Sequence, residues 1–209
     1  MEKEILTYEL TIDDINVDAL TAIGIVNGPA IEESFMKFSN IKMNVENDEE
    51  KIITGPALIP NIKIFRRDEM RGEHYVYFSE STIKELVIKY IKDNKQNNVT
   101  IDHEYNANNI SLFESWIIED ATNDKATALG FSDLPKGTWM VSFKIDNEEV
   151  WNQIKNANLD GFSIEGFLTK VLNKFAINYQ NIDNEVLNIL EQKKSDDEII
   201  DDFIAWLEK

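Results

Sequence analysis

Thr138-Trp139-Met140-Val141-Ser142-Phe143-Lys144-Ile145 is the stretch from which the fold is read. Trp139, Val141 and Phe143 alternate along it, the two-residue period of a strand with one face turned to a core. Pro135-Lys136-Gly137 ahead of it is a turn. Behind it, Asp146 can cap a helix with Glu149 at N3, and Val150, Trp151 and Ile154 fall on one face of that helix. Asn158 to Gly161 then turns the chain into a further strand, Phe162 to Val171.

The same alternation continues outward. Val99–Tyr105 and Ser111–Glu119 read as strands, joined as a hairpin through the turn-like Asn106–Asn109. Ile62–Phe65, His74–Phe78 and the opening Ile5–Leu10 read likewise, with Asn27-Gly28-Pro29 as a turn. The clearest helix starts at a capping box of Thr82 and Glu85. Ile83, Leu86, Val87, Tyr90 and Ile91 form its apolar stripe, and Asp93-Asn94 ends it. The polar run Asn44–Lys51 reads as a loop or linker. These elements predict an α+β, β-rich chain, a mixed sheet or small barrel with a few helices. Three regions are expected: an N-terminal segment, 1–50, packing on or leading into the core; a core, 51–180; and an acidic tail, 181–209. Within 183–209 the acids outnumber the bases nine to three, and Ile199, Ile200, Phe203, Ile204 and Leu207 make a helical stripe.

The charge narrows the function. Thirty-nine acids against 21 bases give −18, which disfavours nucleic acid and anionic membranes as partners, because their phosphates would be repelled. No apolar run approaches a membrane span, and the charged N-terminus lacks a signal core, so a soluble cytoplasmic protein is expected. There is no cysteine, hence no thiol nucleophile and no thiolate metal site. No metal or cofactor is expected: His103-Glu104 lacks the second histidine of H-E-x-x-H, and no glycine-rich phosphate cradle is present.

A base working near neutral pH is most simply a histidine, and there are two. His74 starts a strand after a charged turn and reads as a surface residue. His103 shares a strand face with Ile101 and Tyr105 while Asp102 and Glu104 point away; it is either a general base or a structural strand histidine. Ser163 lies in Gly161-Phe162-Ser163-Ile164-Glu165-Gly166, where the glycines permit close backbone approach. The second glycine comes one residue too late for the G-x-S-x-G elbow, so a plain strand serine between two turns stays open.

Four stretches, in order, resemble the XkdF-like phage prohead proteases, whose fold is similar to that of the herpesvirus assemblins. They are Thr54–Pro60; Gln96–Glu104; Glu114–Asp120 followed by Pro135–Met140; and Gly161–Phe167. Asn27–Glu33 also resembles an N-terminal segment of such proteins, and the likeness spans roughly residues 20–170. It implies a herpes-protease-like β-barrel flanked by helices, His103 as general base and Ser163 as nucleophile on neighbouring strands. It also implies a serine endopeptidase that acts in the host cytoplasm, inside the assembling prohead, on major capsid and scaffold proteins. A homodimer is left open. Assemblins use a second histidine after the serine, and none follows His103 here. That role falls to an acid or is absent, and the acids rank Glu165, then Glu114, then Glu104. Backbone N–H groups near Gly166 are expected to hold the oxyanion. The competing class is a non-enzymatic head-assembly protein on the same fold.

Overall fold

Among the residues that the computed structural model describes (5–13, 17–27, 43–156 and 158–172) there are twelve strands and three helices. In chain order they are β1 (Thr7–Thr11), β2 (Ala19–Val26), β3 (Asn44–Asn47), β4 (Ile52–Leu58), β5 (Ile64–Asp68), β6 (Gly72–Tyr77), α1 (Glu80–Lys92), β7 (Val99–Ile101), β8 (Tyr105–Ala107), β9 (Ile110–Ile117), α2 (Lys125–Ala128), β10 (Trp139–Ile145), α3 (Glu148–Lys155), β11 (Gly161–Phe167) and β12 (Thr169–Leu172). All described residues belong to one compact unit, Met1–Leu172.

The fold is α+β and β-rich, but among the described residues the strands do not close into the expected barrel. The strands form three open four-stranded sheets, ordered β12-β1-β6-β5, β3-β4-β10-β9 and β11-β2-β7-β8. The chain changes sheet at Leu168: β11 pairs antiparallel with β2, whereas β12 pairs antiparallel with β1. The single strand expected over Phe162–Val171 is therefore two strands in two sheets. Both N-terminal strands also run parallel to a later one, β1 to β6 and β2 to β7.

The core lies where the second and third sheets face each other. β10 is central in its sheet, and Trp139, Met140, Val141, Phe143 and Ile145 are all buried. The Tyr90 ring of α1 meets Trp139 edge-on at 5.6 Å, and the indole N–H donates to Ser115 Oγ at 2.8 Å. Phe143 meets Phe162 of β11 at 5.4 Å, tying the two sheets together. A Cβ on Gly55 would come within 3.2 Å of the Phe162 ring and 3.0 Å of Met43 Cα, so only glycine allows that approach. Phe162 and Ile164 pair with Ile25 and Ile23, which pair in turn with Ile101 and Val99. All six are buried and form the inward face of the third sheet. Its other face is left for polar residues.

Several local expectations need correction. α1 begins earlier than the capping box implied: Ser79 caps it, accepting from Thr82 N–H at 3.2 Å, while Thr82 is buried and donates to Glu9 Oε1 at 3.1 Å. Asn147, not Asp146, caps α3, accepting from the N–H groups of Glu149 and Val150 at 3.1 Å each. Asn44–Lys51 is not a linker, because β3 pairs with β4 before the chain turns. The hairpin is β7 with β8, whereas β9 pairs with β10 in another sheet. The helices expected in the acidic tail and the turn residues Gly28 and Pro29 lie outside the described residues.

Candidate active site

The polar face of the third sheet follows from its register. Ser163 of β11 stands opposite Gly24 of β2, and Gly24 stands opposite Thr100 of β7. Residues directly paired across a ladder share a face, so these three form one row. Glu165, two residues beyond Ser163, shares the face as well. Its Oε1 accepts hydrogen bonds from Thr100 Oγ1 and from His103 Nδ1, the latter at 2.7 Å. The His103 side chain is 4% exposed and that of Glu165 24%. A Cβ placed on Gly24 would lie 2.9 Å from His103 Cε1, so the imidazole rests on the glycine at the middle of the row. Ser163 stands one strand away, with paired Cβ positions about 5 Å apart. Ser163 is buried, and its Oγ has no hydrogen-bond partner among the described residues. The negative charge of Glu165 reaches α1: the Tyr90 phenol is pushed up, first by burial and then by that carboxylate.

His103 reaches this place from a turn, not from a strand. Asp102 and His103 have φ of 47° and 61°, and Glu104 N–H closes the turn on Ile101 O at 2.9 Å. Two successive left-handed residues match the primed turns that join tight hairpins. Aspartate and histidine are among the non-glycine residues found most often in that conformation, which still costs of order 1–2 kcal/mol per residue. Asp102 holds the turn against β2: its N–H donates to Ile25 O at 3.1 Å, and its Oδ1 accepts from Asn27 N–H at 2.7 Å. Strand alternation from Ile101 through His103 to Tyr105 therefore does not apply, because the strand ends at Ile101.

Of the three acids expected beside the imidazole, Glu165 is the one in contact with it. Glu114 is on β9, in the second sheet, and pairs with Lys125 Nζ. The strand expected beside that of His103 is thus in a different sheet. Glu104 is exposed on the turn. His103 and Ser163 are not on neighbouring strands either, since β2 runs between β7 and β11. Gly166 sits where the β11–β2 register shifts, and a Cβ there would approach Ala19 O to 2.4 Å, so close backbone approach accounts for this glycine. His74 is wholly buried, not on the surface. Its Nδ1 donates to Gly72 O at 2.9 Å, and its Nε2 faces Lys170 Nζ at 3.2 Å, in the first sheet.

Gly24 and Thr100 were missed as site residues. Ala19-Leu20-Thr21-Ala22-Ile23-Gly24-Ile25-Val26 is a near-continuous apolar run, the mark of a strand buried in a sheet. A glycine inside such a run signals something approaching the backbone closely.

Residues 37–173 match the model of a family described as "Putative phage serine protease XkdF". The chain belongs to this XkdF family. No curated protein and no solved structure matches it. His103, Ser163 and Glu165 all fall within the XkdF span, whereas β1 and β2, with Gly24, precede it. The span starts later than the roughly residue 20 read from the motifs.

Proposed function

We propose that the chain is a serine endopeptidase of phage head maturation, with Ser163 as nucleophile, His103 as general base and Glu165 as the acid that orients it. The observation that carries this reading is the 2.7 Å contact of Glu165 with His103 Nδ1, on the same sheet face as the Ser163 side chain. With Nδ1–H donating to the carboxylate, Nε2 is the ring nitrogen that takes the proton of Ser163 Oγ. The oxygen attacks the peptide carbonyl, and the tetrahedral intermediate expels the amine, which leaves with that proton. Water, deprotonated by the same imidazole, then releases the acyl group. Glu165 stays ionised throughout and offsets the imidazolium charge. The oxyanion donors belong near the register shift at Gly166, because a bulge releases a strand N–H from its ladder. Family membership supports the serine-protease class. Capsid and scaffold proteins within the prohead are the substrates proposed with it.

The burial of Ser163 favours the second reading, a head-assembly protein that does not cleave, since a substrate carbonyl must reach an oxygen that is now covered. A fluorophosphonate probe separates the two. Labelling of purified protein at Ser163, abolished by Ser163→Ala with the thermal midpoint unchanged, supports the enzyme. An unlabelled wild type, with scaffold protein left intact, rejects it.

A further inference from the structure

We propose that Gly24 is a positioning residue of this site: the side chain it lacks is the seat of the His103 imidazole. The inference rests on reading His103 as the base. Its physical basis stands apart from that reading.

Nothing in the backbone asks for glycine at position 24. It lies inside β2, and the positive-φ glycines among the described residues are Gly72, Gly130 and Gly137. A glycine in a strand interior is roughly 0.5–1 kcal/mol less favourable than alanine, and β2 is otherwise well packed. The compensating contact is on the polar face. A Cβ at residue 24 would meet His103 Cε1 at 2.9 Å, Thr100 Oγ1 at 3.1 Å and His103 Nδ1 at 3.2 Å. These are side-chain atoms, so the question is whether they can retreat. The ring is tethered through Nδ1 to Glu165 Oε1, and Thr100 is tethered to the same oxygen. The turn that bears the ring is fixed to the chain just past the glycine, through Ile25 O and Asn27 N–H. Any side chain at 24 therefore displaces the ring from Glu165 and stands between it and Ser163.

A double-mutant cycle tests this without relying on catalysis. Gly24→Ala is expected to lower the thermal midpoint by about 3 °C or more in the wild-type background. In the His103→Ala background, where the ring is gone, it should shift the midpoint by no more than about 1 °C, or raise it. Equal shifts in both backgrounds overturn the proposal. If Gly24→Ala alone does not fold, the double variant decides: a folded double variant supports the seat, an unfolded one rejects it. The chain has two histidines, so its proton spectrum offers one ring Cε1–H signal from each. In Gly24→Ala the His103 signal should move while that of His74, in another sheet, stays in place. For active protein, kcat should fall by about a hundredfold with KM retained. A wild type that fails to react with a fluorophosphonate defeats the peptidase reading, while the midpoint cycle and the ring signals still decide the seat.

Discussion

Removing the charge of Glu165 while keeping its shape isolates what the carboxylate does for His103. A glutamine can still accept a hydrogen bond from Nδ1, but it does not offset an imidazolium. Loss of the orienting acid costs a histidine-based protease up to about four orders of magnitude in kcat. Glu165→Gln is therefore expected to lower kcat on a peptide substrate by about 10²–10⁴, with KM little changed. Glu114→Gln, in the second sheet beside Lys125, should leave kcat within about twofold. The reverse pattern would move the third role to Glu114. At this scale the sequence was informative where local spacing matters: Glu165 and Ser163 share a face because a single residue, Ile164, separates them. It misled where a turn interrupts a strand, because the left-handed pair Asp102–His103 carries no glycine to announce it.

Asp68 shows what individual elements contribute. It sits at the end of β5 and accepts from Lys170 Nζ of β12 at 2.9 Å and from Arg71 N–H of the β5–β6 turn at 2.6 Å. These two donors, the lysine first, hold its carboxyl well below the usual carboxylate range. A depressed folded-state pKa means stability that is fully present above the unfolded value, near 4, and is lost as pH falls below it. Asp68→Asn should lower the thermal midpoint at pH 7, and the gap from wild type should close as the pH is lowered through about 4 to 2. A gap that stays constant with pH would mean that the carboxylate's charge contributes nothing. This strap, like buried His74, joins positions about a hundred residues apart, which no window of sequence reveals. Other elements were legible by kind and misplaced by a few residues. α1 has a strong apolar stripe, yet three hydroxyl residues, Ser79, Ser81 and Thr82, compete at its start, and the one that caps is the one whose hydroxyl meets a free N–H. β4 went unread because Pro56 and Pro60 look like breakers. Pro56 is accommodated where the β4–β10 register shifts, past the end of the β3 pairing.

For the whole molecule, the β-rich character was legible from alternation alone, whereas the division into three sheets was not, because pairing partners are chosen by distant residues. Net charge is the property that passes unaltered from sequence to molecule. At −18 the folded chain repels itself, and compaction brings those charges closer than the unfolded chain does. Exposed ion pairs such as Lys136–Glu119 oppose this weakly, at about 0–1 kcal/mol each, and salt weakens them too. Screening falls from a length of about 30 Å at 0.01 M salt to about 8 Å at 0.15 M, which removes most long-range repulsion and leaves contact pairs less affected. Raising NaCl over that range should therefore raise the thermal midpoint, by roughly 2–4 °C for each kcal/mol of repulsion relieved. Scanning calorimetry at the two salt concentrations checks it. A midpoint that falls with salt would mean that the attractive pairs outweigh the repulsion, and that the acids are distributed as partners and not as a solvating shell.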